Sequence, residues 1–116
     1  MCWGYPKENS KVLIINARIE NLNGPYFKDD HDNRRCVVPV SGYYEWDRNK
    51  KKHYIHSSND EALYLGAIYR KINETYYYCI VTKDASESLK IIHNRMPITM
   101  NKEQAIKWLN EKTLSK

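Results

Sequence analysis

Residues 61–83 read EALYLGAIYRKINETYYYCIVTK, and this stretch sets the fold class. Two runs, 61–70 and 74–83, are rich in aromatic and β-branched residues and flank the short polar connection 71–73. Such runs form strands joined by a tight turn. In the second run Tyr76, Tyr78 and Ile80 alternate with Tyr77, Cys79 and Val81. Both faces are apolar or aromatic, which predicts a strand covered on both sides, in the middle of a sheet.

The neighbouring segments extend that sheet. "RRCVVPV" (34–40) predicts a strand with Pro39 at a sheet edge or strand end, because proline has no N–H for a ladder. "SGYYEW" (41–46), the charged loop "DRNKKK" (47–52) and "HYIH" (53–56) predict a hairpin, followed by a loop at 57–60. Upstream, "KVLIINA" (11–17) predicts a buried strand leading into "NARIENLNG", which has a helix-like composition and stops at Asn23-Gly24. "PYFKDDHDN" (25–33) reads as an irregular connection or a short helical turn. Downstream, "DASESLKII" (84–92) predicts a helix capped by Asp84 or Ser86. Pro97 keeps "HNRMPIT" (93–99) extended. "NKEQAIKWLNEK" (101–112) predicts an amphipathic helix, with Asn101 as N-cap and Ala105, Trp108 and Leu109 as its apolar stripe. The expected class is α+β: a curved, mainly antiparallel, barrel-like sheet with a few short helices and a C-terminal amphipathic helix.

The 116 residues suit one domain over 1–116, large enough for one modest core. No apolar run reaches the roughly 20 residues of a membrane span, and the first ten residues lack an apolar signal-peptide region. A cytoplasmic or nucleoid-associated protein without a membrane partner is expected. The net charge of +5, from 19 basic and 14 acidic residues, favours anionic partners, nucleic acid first. Ten tyrosines suit both sheet packing and base stacking. Three cysteines without a C-x-x-C spacing argue against a disulfide framework or a zinc site. Cys36 and Cys79 lie in apolar runs and read as small buried hydrophobes. His31, His53 and His56 show no metal spacing. Lys50, Lys51 and Lys52 fit a solvated turn more readily than a DNA-binding patch.

Four strings carry a sharper signal: "WGYP" (3–6), "NARIE" (16–20), "RRCVVPVSGYYEW" (34–46) and "IHNRMP" (92–97), followed by Trp108-Leu109 in a helix. In this order they resemble the SOS response-associated peptidase (SRAP) family, from Trp3 to about Leu109. The resemblance implies a role in DNA damage and the SOS response: sensing abasic sites in single-stranded DNA and forming a DNA–protein crosslink. In that chemistry an N-terminal cysteine, exposed by loss of Met, closes a thiazolidine on the opened sugar. Cys2 stands at the matching position. An α-amine is partly neutral at pH 7, unlike a lysine, and a thiol needs little help to supply thiolate.

By the same resemblance Glu45 and His93 join Cys2 as catalytic residues. Glu45 shuttles protons, with a carboxyl that partial desolvation between aromatics would raise toward a useful pKa, and His93 assists sugar-ring opening. Asn16 and Arg18 position the N-terminus and the phosphates, and Arg95 holds a phosphate beside the lesion. Trp3, Pro6 and Met96 form an apolar wedge with Pro97 alongside, and Thr82 is a weaker site candidate. No cofactor and no metal are implied, and the oligomeric state stays open. Family members begin M-C-G-R and carry a longer portion before their W-G segment, so this chain is expected to be N-terminally truncated relative to them. Cys2 then matches the nucleophile by position and the residue before the family's tryptophan by context. Two other classes compete: a non-catalytic single-stranded DNA-binding module, or inactive fragment, without the nucleophile; and a peptidase, as the family's name suggests.

Overall fold

The computed structural model describes residues 1–59 and 61–110. In chain order the elements are β1 (Cys2–Trp3), β2 (Tyr5–Pro6), β3 (Leu13–Ile14), β4 (Asn16–Arg18), a 3₁₀ turn (Ile19–Asn21), α1 (Lys28–Asn33), β5 (Arg35–Val40), β6 (Gly42–Trp46), β7 (Lys52–His56), β8 (Leu63–Ile72), β9 (Thr75–Asp84), β10 (Arg95–Pro97), β11 (Thr99–Met100) and α2 (Lys102–Asn110). The α+β class expected from the sequence is the one observed. Seven strands form one sheet, and β2–β3 and β6–β7 form two small ones; the sheets do not close into a barrel.

The β8–β9 hairpin is the axis of the large sheet. Its turn is Asn73-Glu74, both left-handed (φ 49° and 72°), with Ile72 opposite Thr75. Two positive-φ residues match the right-handed twist of the flanking strands, so Lys71 and Ile72 belong to β8 rather than to the connection. β9 is central: β8 pairs along one edge, and β1, β4 and β10 share the other. β1 and β4 run parallel to it, and β10 antiparallel. Cys79 and Val81 pack with Tyr5, Ala17, Leu22 and Ile68, all almost fully buried. Ile80 packs on the other face with Leu65 and Ala67, flanked by Val38, Val40 and Tyr43. Period-two alternation thus gives β9 a core on each side. Pro39, opposite Tyr64, sits near the end of β5, which among the described residues pairs with β8 alone.

Three local expectations give way. Residues 11–17 form two short strands rather than one buried one, and Val12 and Leu13 are exposed. The chain changes sheets at Ile15, whose carbonyl accepts the Ile80 N–H and the Trp3 indole N–H. The helix-like "NAR" is instead β4, drawn onto the open edge of β9, and only one 3₁₀ turn follows. Of the helix expected over 84–92, Asp84 ends β9 and residues 87–92 make turns instead. The Ala85 N–H is committed to the Asn94 carbonyl, and Ile91 is 85% exposed. The segment therefore has no buried stripe to stabilise a helix.

The C-terminal helix forms as expected. Asn101 Oδ1 accepts the Gln104 N–H and Gln104 Oε1 accepts the Asn101 N–H, each at 2.9 Å, a reciprocal cap. Ala105 is buried, and the Trp108 indole donates to the Cys36 carbonyl at 2.9 Å. Leu109 is exposed, so the stripe is narrower than expected. Positions 111 and 112 of the expected helix, and position 60 of the expected loop, lie outside the described residues.

On the helical side of the large sheet Asp30, 1% exposed, ties α1 down. It accepts from Arg34 (2.6 Å), Arg70 (2.5 Å) and the Tyr5 hydroxyl (3.1 Å). The Arg70 guanidinium lies over the Tyr5 and Tyr26 rings at 4.4 and 4.5 Å. Both internal cysteines are free thiols raised by burial, Cys36 to about 11 and Cys79 to about 12.

Candidate nucleic-acid interface

The face of the large sheet that carries Ile80 opens into a cleft of about 410 Å³. Four separate segments supply its polar groups: Asn16 from β4, Glu45 from β6, Thr82 from β9, and His93 and Arg95 around the start of β10. Strand register explains the convergence. Asn16 is aligned with Ile80, and Pro97 is opposite Thr82. Trp3 is aligned with Tyr78 and reaches the cleft with its indole bound to the Ile15 carbonyl at 2.9 Å. Met96 and Pro97 complete the wall.

Arg95 holds this corner together. Its Nη1 donates to Glu20 (2.9 Å) and Asp84 (2.8 Å); its Nη2 donates to Glu20 (3.0 Å) and to the carbonyl and hydroxyl of Thr82 (both 3.1 Å). The hydrogen bond from Arg95 holds the Glu20 carboxyl below its ordinary range. These carboxylates occupy the nitrogens expected to hold a phosphate. His93 is exposed, and its Nδ1 lies 3.2 Å from both the backbone N–H and the carbonyl of Arg95. In the neutral ring Nδ1 accepts that N–H, which leaves Nε2 for a substrate. Among the described residues, two buried polar atoms of the lining lack a partner: the Tyr43 hydroxyl and Arg95 Nε. Burial, and then the nearby Glu45 charge, raise the Tyr43 phenol.

Of the residues singled out in the sequence, Trp3, Asn16, Glu45, Thr82, His93, Arg95, Met96 and Pro97 all line this cleft. Arg18 is aligned with Thr82 but lies outside the lining, and Pro6 pairs with Leu13 in the small β2–β3 sheet. Cys2 is exposed and lines a separate hollow with Arg35, Cys36, Tyr69 and Tyr76. Tyr69 and Tyr76 of that hollow lie near the turn end of the β8–β9 hairpin, whereas Leu65, Ile80 and Thr82 of the cleft lie toward its other end, so Cys2 is separated from the cleft along the sheet. Glu20, Tyr43, Tyr44 and Trp46 also belong to this region and had no assigned role. The glutamate of "NARIE" and the aromatics flanking Glu45 were visible in the motifs, but their contacts depend on tertiary pairing. Among the described residues no cluster of three or more His, Cys, Asp or Glu side chains is placed to hold a metal ion.

The fold and the cleft define a mixed α+β protein with an open, aromatic-walled site built on a sheet. The family profile described as SOS response associated peptidase (SRAP) matches residues 1–116, and the chain belongs to that family. It is 36% identical over 111 residues to the abasic site processing protein YobE of Bacillus subtilis, a match covering 85% of this chain and 50% of that protein. It is 28% identical over 123 residues to the abasic site processing protein YedK of Escherichia coli, covering 98% and 55% respectively. The fold is similar to the crystal structure of a Bacteroides thetaiotaomicron protein (TM-score 0.76, 29% identity, 87% of this chain and 49% of that one). It is also similar to that of a phage-related protein of Bordetella bronchiseptica (TM-score 0.73, 28% identity, 91% and 55%). The chain spans about half the length of the relatives it matches.

Proposed function

We propose that the cleft receives single-stranded DNA at an abasic site and that Glu45 and His93 move the protons of its processing, in the response to DNA damage. The observation that carries this reading is the meeting of Glu45, His93, Asn16 and Thr82 from four segments in one cleft walled by Trp3 and Trp46. His93 Nε2, left open by the Nδ1 contact with the Arg95 N–H, protonates the ring oxygen as the sugar opens. Glu45 then takes the proton of an attacking amine and returns it to the departing water. With Cys2 as N-terminal residue, its amine condenses with the C1′ aldehyde to an imine. Its thiol adds across that imine, and the thiazolidine closes. The step requires β1, a two-residue strand, to leave its register with β9 so that Cys2 replaces Trp3 at the cleft.

A second reading, a binding module without the nucleophile, is favoured by the present position of Cys2 in a different hollow. One experiment separates the two. The protein is incubated with a uracil-excised single-stranded oligonucleotide and run on a denaturing gel. The first reading expects a covalent band that Cys2→Ala abolishes and Glu45→Gln slows by about 10²–10⁴-fold. The second expects retention on a native gel that weakens with salt, and no covalent band. Absence of both bands overturns the proposed function.

A further inference from the structure

The β6–β7 hairpin is a sheet of its own, paired with no other strand among the described residues. Its register sets Tyr44 opposite Tyr54, Trp46 opposite Lys52 and Gly42 opposite His56. Residues opposite one another share a face, so one side of the hairpin is an aromatic ladder. The Tyr44 and Tyr54 rings are 5.0 Å apart, and Tyr54 and His56 stack at 5.1 Å with 23° between their planes. The Tyr54 ring lies over Gly42, where a Cβ would come within 2.5 Å of it. The missing side chain lets the ring lie flat along the strand. Tyr44, Trp46 and Tyr54 remain 53%, 52% and 47% exposed. Lys52 Nζ sits 4.2 Å from the Tyr44 centroid and 5.8 Å from that of Trp46. The adjoining turn adds Arg48, Lys50 and Lys51, all exposed, and no ion-pair partner for them occurs among the described residues.

We infer that this face is a stacking platform for the nucleotides flanking the one in the cleft, an inference that rests on the proposed function. Three features name single-stranded nucleic acid as the occupant. Ring faces presented in a row at about the spacing of a hairpin ladder suit unstacked bases, which bind aromatics without regard to sequence. The cations at the turn match a phosphate backbone. The platform is continuous with the cleft, because Tyr44 and Trp46 belong to both. Tyr44, Tyr54 and His56 receive bases, Lys52 lies between rings and phosphates, and the turn cations track the strand onward.

The test uses two kinds of abasic oligonucleotide at fixed salt: a short one that fills only the cleft, and longer ones extended on either side. Wild type is expected to bind one of the longer strands more tightly than the short strand. Tyr54→Ala is expected to weaken that longer complex roughly tenfold and to leave the short one unchanged. Lys50→Ala with Lys51→Ala is expected to lower the salt dependence of the longer complex by about one counterion for each phosphate that the two lysines neutralise. Tyr54→Leu keeps the apolar area and removes the aromatic face, so it serves where the alanine variant unfolds. Longer strands bound no more tightly than the short one, or equally by wild type and both Tyr54 variants, overturn the platform and leave the cleft reading intact. No binding of any strand overturns both. Concentration-dependent dimers that Tyr54→Ala abolishes, with no length effect on DNA, assign the face to a second copy instead.

Discussion

Two arginine clusters lie on opposite faces of the large sheet and use the same chemistry in different solvents. On the helical face Asp30 is sealed from water and satisfied by Arg34, Arg70 and Tyr5. On the cleft face Arg95 is held between Glu20 and Asp84, whose side chains are 51% and 86% exposed. A buried charge must be completely partnered, because each missing partner leaves an uncompensated ion in a poor solvent. An exposed ion pair gives little stability, since water and salt compete for both ions. The first cluster therefore holds the fold, and the second shapes a corner of the cleft. The difference teaches that an ion pair's role follows from its surroundings more than from its distances.

The largest expected effect comes from breaking the sealed cluster. Asp30→Ala leaves Arg34, Arg70 and the Tyr5 hydroxyl facing a void and should cost about 3–5 kcal/mol of stability. Urea unfolding measures it, and a loss below about 1 kcal/mol would erase the contrast with the open cluster.

A smaller effect separates the clusters by pH. Arg95 lowers Glu20, so that contribution is present above the ordinary glutamate value and lost as pH falls through the lowered one. Burial, and then the Asp30 charge, raise Tyr5, so the neutral phenol stabilises the fold below the ordinary value of 10.0, and that stability is lost as pH rises further. Glu20→Gln should flatten the acid limb of the stability profile, and Tyr5→Phe the alkaline limb. Thermal melts across pH check both, and exchanged effects would refute the assignment. The smallest effect is in salt. Raising ionic strength should narrow the gap between Glu20→Gln and wild type while leaving the Asp30→Ala gap unchanged.

The two faces also differ in how well the sequence revealed them. β8 and β9 were legible because their alternation is a local property, and Asn101 and Gln104 announced the helix cap. Glu45 and His93 were singled out through the strings "YYEW" and "HNRMP", and both line the one cleft. The turns at 87–92 were not legible, because the composition is helical while the fold offers the segment no surface on which to bury a helical stripe. The split of residues 11–17 depends on the open edge of β9, which no short window contains. The role of Glu20 in holding Arg95 is a contact across 75 positions. The hairpin ladder follows from register, which a loop with a left-handed Lys50 fixes only once the chain has folded.

The parallel seating of β1 and β4 on β9 has a consequence in time. The β8–β9 hairpin closes through a two-residue turn, a short loop that costs little entropy. The cleft walls at Trp3 and Asn16 must instead find residues 78 and 80, more than sixty positions further along the chain. Contacts of such long separation form slowly. A chain emerging from the ribosome thus makes its scaffold from local pairings in the middle, and its cleft is complete only when β1, β4 and β10 have joined β9. The cleft proposed to receive DNA is the last part of the molecule to come into existence.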